Sequence, residues 1–582
     1  MKFSSFNFSV YGKRTYLVLI SVLIGALTTL CAALLKKGVM LMEHIAEHLV
    51  FDSCYSELFL ILPAIGILLT VTFWKLMKIK NERRGMTAVI YNISKQSSVV
   101  ARHKLFSQMI SSIFTVGFGG SAGLEAPIAS TGSAIGSNIA SKLKFSTKER
   151  TLLLACGAAA GISAIFNAPI AGVVFALELL LIDMPVPVVI PLLISSATAA
   201  FLSRYFNLGQ PFVLITDTWN SSHILYYLAL AALAAILSIY CIKIYFFISS
   251  VFSKILNVFV KALIGGASLG LLIFLFPPLY GEGYDSVQLL LHNQSDEIFK
   301  NITFFEANAL WLPILAALLM FFLKTVATSF TVFGGGNGGM FGSSLFTGAM
   351  LGFTFSRVIN IFGWAELNEI NFTVIGMASL LSGVLQTPLT AIFLIAEITG
   401  GYALFVPLMI TTSITYLATR YIEPHSVYTK QLALKGGLIN LSKDKQVMSK
   451  MNLRDYLETD LKTININATL GDLIKAIRES KRNIFFVFDT LNHLQGIILL
   501  DDVKSVDQSQ YGIGVKDLMQ RPPLVLDIDE DMERVLEKFE EYDAWNFPVV
   551  EKGVYAGFVS KSKIFTFYRQ LLIQESDVPM HD

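Results

Sequence analysis

The sequence is poor in charge, in cysteine and in basic tracts. Only 15% of its 582 residues are charged, whereas about 25% is usual in soluble proteins. Such a composition excludes a disordered chain and argues against a soluble enzyme. No basic tract marks nucleic-acid binding. The cysteines form no CxxC pair and are typical of small buried hydrophobic residues, so we expect no metal site from them; they are Cys31, Cys54, Cys156 and Cys241.

The few charges are unevenly distributed along the chain. Residues 447–582 contain 16 basic and 23 acidic side chains in 136 positions, whereas residues 1–446 contain 29 basic and 20 acidic ones. The long apolar part cannot be a soluble domain, and the acidic part has an ordinary charge density. We therefore predict a membrane domain over 1–446, followed by an acidic soluble region from residue 447.

Charge-free runs indicate the membrane-spanning helices. A helix needs about 20 apolar residues to cross a bilayer, and nine runs reach or approach that length. They are Thr15–Leu35, Leu58–Trp74, Thr151–Leu177, Met184–Ser203, Thr218–Ile242, Ala262–Gly281, Ala307–Leu323, Thr325–Ser356 and Ile398–Thr419. Lys13 and Arg14 precede the first run, and five basic residues between positions 75 and 84 follow the second. The positive-inside tendency places both flanks in the cytoplasm.

Two glycine-rich segments indicate an internal repeat. FTVGFGGSAGLEAP (Phe114–Pro127) aligns with FTVFGGGNGGMFGS (Phe330–Ser343) at an offset of 216 residues. At an offset of 219, three further residues recur, namely Gly157, Pro169 and Glu178 at Gly376, Pro388 and Glu397. Two ordered matches at nearly one offset indicate a duplicated membrane unit, as in transport proteins with a site near the midplane. The matches alone leave open whether the repeats are parallel or inverted.

The glycine segments and two X-Pro steps predict helices that break inside the membrane. Breaks fall within both glycine segments and at Ala168–Pro169 and Thr387–Pro388. Irregular backbone at membrane depth persists only where protein or a water-filled cavity surrounds it. A helix that begins there offers unpaired amides and a partial positive charge. Two such helix starts suit a small anion, which they would hold weakly enough for release.

Glu125 is the single acidic residue of the first glycine segment. A carboxylate at a helix start competes with an anion for the same amides, so it can act as a gate, or as a proton carrier. The structural alternative is a glutamate that caps a helix N-terminus. Because an ionisable residue in a charge-free run is a functional hypothesis by default, we predict the gate.

At these residues the chain resembles the CLC family of chloride channels and proton/chloride exchangers. The family motif Gly-(Lys/Arg)-Glu-Gly-Pro appears as Gly123–Pro127, and the motif Gly-x-Phe-x-Pro appears as Gly339–Ser343. The segments Phe166–Glu178 and Ile395–Tyr402 are also similar to CLC sequence, and the whole resemblance covers roughly residues 15–435. It implies an all-α polytopic membrane domain of two inverted repeats with broken helices, assembled as a homodimer in a lipid bilayer.

The resemblance also implies roles for particular residues. It makes Glu125 the external gate and places the amides of Met340 and Phe341 on the central anion. It makes Tyr428, in PHSVYTKQL, the hydroxyl that closes the pathway on the inner side. The full set of anion-binding residues that it implies is Gly123, Leu124, Gly339, Met340, Phe341, Tyr428, Arg84 and Gly85.

Two departures from the family pattern leave the transport mode open. The first motif, Gly-Ser-Gly-Ile-Pro, aligns with Arg83–Thr87, so Arg84 stands where the family has an anion-coordinating serine. Leu179 replaces the internal proton-transfer glutamate of many exchangers, one residue after Glu178. We assign the proton pathway to Glu125 and Glu178, although a structural contact at a helix end is an alternative for Glu178. Channel and exchanger both stay open, and a fluoride or other anion/proton exchanger is an alternative.

The acidic region resembles a tandem pair of cystathionine-β-synthase (CBS) domains, which we place at 447–510 and 511–582 as a cytoplasmic α+β module. Strands are predicted in Asn483–Asp489 and Leu494–Leu500, and again in Asn546–Glu551 and Tyr555–Ser560. Such pairs often bind adenine nucleotides through a Thr/Ser-x-x-Asp pattern, and neither copy carries it in full. We expect no required cofactor, and the nucleotide-binding residues are unknown.

One short motif points to another class of protein. His44-Ile45-Ala46-Glu47-His48 fits H-x-x-E-H, in which two histidines hold zinc and the glutamate is a general base. The stretch lies between the first two apolar runs, where an interfacial helix explains it, and no third ligand is recognisable. A zinc-dependent membrane peptidase on His44, Glu47 and His48 is thus an alternative, and we predict that the protein is not an enzyme. The prediction is a multi-pass membrane protein with both termini in the cytoplasm, in the inner membrane if it is bacterial.

Overall fold

The first part of the chain is built from α-helices, several of which end inside apolar sequence. An α-helix forms the hydrogen bonds of its backbone groups within one segment, as a lipid environment requires. The helices are α1 (Val10–Phe51), α2 (Leu62–Leu76), α3 (Gly85–Lys95), α4 (Ser107–Gly117), α5 (Glu125–Lys142), α6 (Thr147–Phe166), α7 (Pro169–Leu180), α8 (Val189–Tyr205), α9 (Ile224–Ser253), α10 (Val258–Leu275), α11 (Tyr284–Leu291), α12 (Ser295–Lys300), α13 (Leu312–Gly334), α14 (Met340–Ile361), α15 (Glu369–Leu385), α16 (Pro388–Ile398), α17 (Phe405–Ile422) and α18 (Val427–Leu434).

The computed structural model describes residues 10–51, 60–79, 84–180, 189–208, 218–300, 311–434, 451–460, 462–480, 482–490, 493–504, 513–542, 544–551 and 554–576. The chain divides into two compact units, Met1–Leu438 and Ile439–Asp582. The domain boundaries predicted at 446/447 and 510/511 lie outside the described residues, as do Cys54 and Arg83.

Five helices in the described part of the chain are long and apolar enough to cross a membrane by length and composition. Other apolar runs are divided between two helices, as the breaks predict. Thr151–Leu177 is divided between α6 and α7, where Asn167 adopts a left-handed conformation with φ of 53°. Thr325–Ser356 is divided between α13 and α14. The chain thus has helix starts buried at the depth of its apolar core.

Matched pairs of helices cross at glycines in the two halves. Helix α5 packs on α6, where a Cβ added to Gly157 would lie 1.9 Å from the carbonyl oxygen of Gly132. Helix α14 packs on α15, where a Cβ added to Gly376 would lie 2.3 Å from the carbonyl oxygen of Gly348. Gly157 and Gly376 are the pair matched in the sequence repeat. The duplicated sequence therefore folds into duplicated packing.

The second unit contains two three-stranded sheets, each with an amphipathic helix. Their orders are β1-β2-β3 and β4-β5-β6, with the first pair parallel and the second antiparallel in each. The elements are β1 (Thr463–Asn465), α19 (Leu470–Glu479), β2 (Ile484–Phe488), β3 (Leu494–Leu499), α20 (Leu500–Lys504), α21 (Val515–Leu518), β4 (Leu526–Asp527), α22 (Met532–Glu541), β5 (Asn546–Glu551), β6 (Val554–Ser560) and α23 (Lys561–Ser576). Each predicted strand is present, and no bound differs from the prediction by more than one residue.

The two sheets are linked by segments that precede them in the sequence. Glu458 pairs with Phe558 on β6, and Gln520 pairs with Ile497 on β3. Arg482 joins this link, since its guanidinium lies 2.7 Å from the Glu458 carboxylate and 2.8 Å from that of Asp460. The hydrogen bond from Arg482 holds the pKa of Asp460 below its usual range. The two modules are therefore one folded unit.

Candidate anion site

The two glycine segments meet, and their contact places two helix starts side by side. Gly123 and Gly339 form an isolated antiparallel bridge, in which each amide donates to the carbonyl of the other at 3.0 Å. Helix α5 begins at Glu125 and α14 begins at Met340, each just after the bridge. The amides of Gly123 and Gly339 are used by the bridge, so these two residues hold the helix starts together. Contact of Gly123 and Gly339 with an anion stays a prediction.

Glu125 is buried at this meeting point, with 1% of its surface exposed. Its Oε1 accepts a hydrogen bond from the Tyr284 hydroxyl, and its carboxylate also accepts one from the Gly342 amide of α14. Its Oε2 has no hydrogen-bond partner among the described residues. A Cβ on Gly123 would lie 2.1 Å from Oε2, so only glycine leaves room for the carboxylate. The carboxylate of α5 therefore occupies the amide-lined start of α14.

A tyrosine hydroxyl lies beside the bridge. A Cβ on Gly339 would lie 3.4 Å from the hydroxyl of Tyr428, which is 6% exposed at the start of α18. Thr87 donates its hydroxyl hydrogen bond to the Tyr428 carbonyl at 3.2 Å. Gly85 has φ of +57° and is adjacent to Ala126 on α5. The structure thus brings the start of α3, α18 and the bridge to one place.

Met340 and Phe341 are the first two residues of α14, and both are 1% exposed. The first amides of a helix have no acceptor within it. The Phe341 ring packs against Phe166 and Phe175, at centroid distances of 5.5 and 6.1 Å. This aromatic packing keeps water away from the helix start, which strengthens its electrostatic attraction for an anion.

The Arg84 side chain points to the C-terminal end of α13. Its Nη1 donates to the carbonyls of Gly335 at 2.6 Å and Gly336 at 3.3 Å, and its guanidinium lies 4.7 Å from the centre of the Trp74 ring. The C-terminal carbonyls of α13 attract a cation. The positive guanidinium therefore compensates the partial negative charge of these carbonyls in the glycine turn before Met340. Direct contact between Arg84 and an anion stays a prediction.

Glu178 and Glu397 cap each other's repeat. Glu178, near the end of α7, accepts hydrogen bonds from the Leu389 and Thr390 amides at 3.0 and 2.9 Å, and from the Thr390 hydroxyl at 2.7 Å. Glu397, near the end of α16, accepts them from the Ile170 and Ala171 amides at 2.9 and 2.8 Å. This arrangement is the helix-end contact considered for Glu178, and its proton-pathway role stays a prediction.

Three candidate functional residues escaped the sequence analysis, namely Glu282, Tyr284 and Lys324. Glu282 precedes Gly283 in the loop before α11, Tyr284 is the first residue of α11, and Lys324 is completely buried in α13. The signals were present: Lys324 separates two apolar runs, and Glu282 ends another. Ionisable residues within apolar sequence are functional candidates.

The histidine motif lies on α1. The His44 and His48 rings contact each other edge to face, with centroids 4.4 Å apart. Within the described ranges no group of three His, Cys, Asp or Glu side chains is placed to hold a metal ion. The zinc-peptidase alternative therefore lacks a third ligand in that part of the chain.

The altered CBS pattern is involved in contacts within the module. The Ser560 hydroxyl donates to the Glu458 carboxylate at 2.5 Å, and the Lys563 ammonium group donates to the Leu457 carbonyl at 3.3 Å. Lys563 stands where the nucleotide-binding pattern has aspartate. The two pattern positions of the second copy, Ser560 and Lys563, are therefore bonded to the protein itself.

A helical membrane unit with paired, buried helix starts, followed by a CBS-like unit, is typical of an ion-transport protein. Residues 66–420 match the family described as voltage gated chloride channel, and residues 453–508 and 515–569 match the CBS domain. Because the first match covers more than half of the chain, the chain belongs to the voltage-gated chloride channel (CLC) family. The predicted family and fold class are confirmed.

Three known proteins illustrate the similarity. A putative ClcB-like chloride channel protein of Ralstonia nicotianae is 29% identical over 359 residues, covering 60% of this chain and 80% of the relative. The H+/Cl− exchange transporter ClcA of Vibrio cholerae serotype O1 is 26% identical over 325 residues, covering 53% of this chain and 65% of that protein. The crystal structure of a slow cyanobacterial Cl−/H+ antiporter matches with a TM-score of 0.61 at 21% identity, over 72% of this chain and 97% of that one, and supports the fold.

Proposed function

We propose that the protein carries chloride across a membrane along a pathway past Glu125, as a CLC-type channel or proton/chloride antiporter. The observation that carries the proposal is the Glu125 carboxylate, buried at the amide-lined start of α14. A group that holds a carboxylate there holds a chloride ion by the same attraction. When the carboxylate leaves or is protonated, the place becomes free for the anion.

The mode of transport depends on whether protons reach Glu125 from the inner side. Leu179 is buried and carries no titratable group, and the neighbouring Glu178 is held by three hydrogen bonds. Known relatives are named both as channels and as exchangers. The proposal therefore includes both modes, and one measurement separates them.

The proposal extends to assembly and regulation. The protein acts as a homodimer with both termini in the cytoplasm, and the CBS pair regulates transport. The contacts of Ser560 and Lys563 within the module support regulation without a required nucleotide. Chloride flux from proteoliposomes with and without ATP tests this part, and flux that depends on ATP would contradict it.

The test of the function is chloride flux from proteoliposomes with simultaneous recording of pH. We expect flux in the wild-type protein and altered flux in Glu125→Gln and Glu125→Ala, because both variants remove the charge that competes with chloride. Glu297→Gln, an exposed acid on α12, is the matched control. Protons that move in fixed proportion to chloride define an exchanger, and chloride flux without uphill proton movement defines a channel.

Two results would contradict the proposal. Absence of chloride flux in the wild-type protein, with fluoride flux present, would reassign the anion. If both Glu125 variants show the same chloride flux as Glu297→Gln, then Glu125 is not the gate.

A further inference from the structure

The loop before α11 is anchored by a buried cation. Lys324 is completely buried, and its Nζ donates to the carbonyls of Leu279 at 3.3 Å and Gly281 at 2.9 Å. It also lies 4.9 Å from the centre of the Phe346 ring. A buried charge in a membrane protein is costly unless polar groups surround it. The ammonium group and the loop carbonyls therefore stabilise each other, and the loop has one defined position.

A glycine turn in this loop directs two side chains to the anion site. Gly283 has φ of +83°, and a Cβ there would lie 2.6 Å from the Phe346 ring and 3.2 Å from Lys324 Nζ. Glycine is the residue that adopts this conformation without strain and fits this gap. On one side of the turn Glu282 reaches the start of α5, and on the other Tyr284 reaches Glu125.

Each of the two helix starts thus has its own carboxylate. Glu282 Oε1 accepts a hydrogen bond from the Leu124 amide at 3.0 Å, at the start of α5. Glu125 accepts one from the Gly342 amide, at the start of α14. The Leu124 amide is one that the family resemblance assigns to the anion. Neither helix start is available to chloride while both carboxylates remain in place.

The charged and titratable groups around Glu282 are mixed in sign. Glu282 interacts electrostatically with Glu125, Lys36, Glu43 and Lys324, and also with Tyr284 at the start of α11. Acidic groups face Glu282 from α1 and α5, and basic groups face it from α1 and α13. In its charged form Glu282 repels an anion that approaches Glu125.

We propose that Glu282 is a second carboxylate gate, which competes with chloride for the Leu124 amide at the start of α5 while Glu125 competes at α14. The proposal rests on chloride transport through this site. Chloride binds fully only when both carboxylates have withdrawn or lost their charge. Lys324 is a positioning residue, since it holds the loop and does not reach the helix start itself.

Chloride affinity of the full-length purified protein tests the proposal, measured by isothermal titration calorimetry. Glu282→Gln keeps the shape of the side chain and removes the charge, so we expect chloride to bind about two- to fivefold more tightly, the range of a carboxylate at a helix start. Glu125→Gln should also tighten binding, and the double variant should bind more tightly than either. Asp285→Asn, which removes an exposed acid three residues away, is the control.

A second variant guards against misfolding. Glu282→Asp keeps the charge near Lys324 but shortens the side chain, so it should withdraw from the Leu124 amide and tighten chloride binding in the same direction. Affinity of both Glu282 variants equal to that of Asp285→Asn overturns the second gate, provided that wild-type liposomes transport chloride. Wild-type liposomes without chloride flux would instead overturn the function on which it rests.

Discussion

At the residue scale, four glutamates bind helix starts, and the use of one or both carboxylate oxygens separates Glu125 from Glu178 and Glu397. Glu178 accepts three hydrogen bonds, Glu397 accepts two amide bonds, and both oxygens of each are used. Glu125 has one oxygen without a partner in the described part of the chain. A carboxylate that is bonded through both oxygens must break bonds at each of them when it moves, whereas Glu125 must break bonds at one oxygen only. The same chemistry therefore gives fixed caps at two positions and a movable group at Glu125.

The two fixed caps can be compared directly. We expect Glu178→Gln and Glu397→Gln each to lower the free energy of unfolding by about 1–3 kcal/mol, because an amide NH2 group faces a helix amide that needs an acceptor. Thermal unfolding in detergent measures this. The proton-to-chloride ratio, measured in liposomes, should be the same in both variants. A ratio lost in Glu178→Gln alone would instead place Glu178 in the proton pathway.

At the element scale, close crossing of helices positions the broken ends. Helices α5 and α6 touch at Gly132 and Gly157, and α14 and α15 touch at Gly348 and Gly376. In membranes, helix association depends on close van der Waals packing of small residues. The crossings therefore support α5 and α14, whose first residues form the anion site.

A methyl group at one crossing should separate these helices. In Gly157→Ala the new Cβ would meet the Gly132 carbonyl oxygen, so we expect a loss of about 1–3 kcal/mol in stability, together with reduced chloride flux. Gly401→Ala is the control, since no atom lies within 4 Å of a Cβ there. Differential scanning fluorimetry compares the two. Equal melting temperatures would show that the crossing tolerates a wider separation.

At the scale of the whole molecule, the distribution of charge predicts the orientation in the membrane. Lys13 and Arg14 precede α1's apolar stretch, Lys75 and Lys78 follow that of α2, and the acidic CBS unit ends the chain. Basic flanks remain in the cytoplasm. We therefore expect the N-terminus in the cytoplasm, and the proposed function places the C-terminus on the same side.

Reporter fusions check this orientation. Green fluorescent protein fused after Asp582 should fluoresce in a bacterial host, and alkaline phosphatase at the same place should be inactive, because both report the compartment in which they fold. The same fusions joined before the first residue should agree. Active phosphatase at either end would reverse the assignment.

The fold class, the helix breaks and the position of Glu125 at a helix start could be predicted because each has a local cause. Glycine and proline interrupt helices wherever they occur, so the breaks near Gly123, Pro169, Gly339 and Pro388 were predictable. The internal repeat was also predictable, because the duplicated motifs are visible in short stretches of sequence. The antiparallel contact of Gly123 with Gly339, in contrast, required the folded chain, and so did the direction of Arg84 toward α13.

The sequence alone thus establishes a duplicated, broken-helix membrane protein of the CLC family with a CBS pair and an acid in its first glycine segment. The folded chain adds that Glu282, distant by 158 positions, reaches the Leu124 amide and that Lys324 anchors its loop. Local pattern predicts how a segment folds, because it depends on neighbours in sequence. Which charge meets which helix start depends on packing between distant segments, and no single segment encodes that.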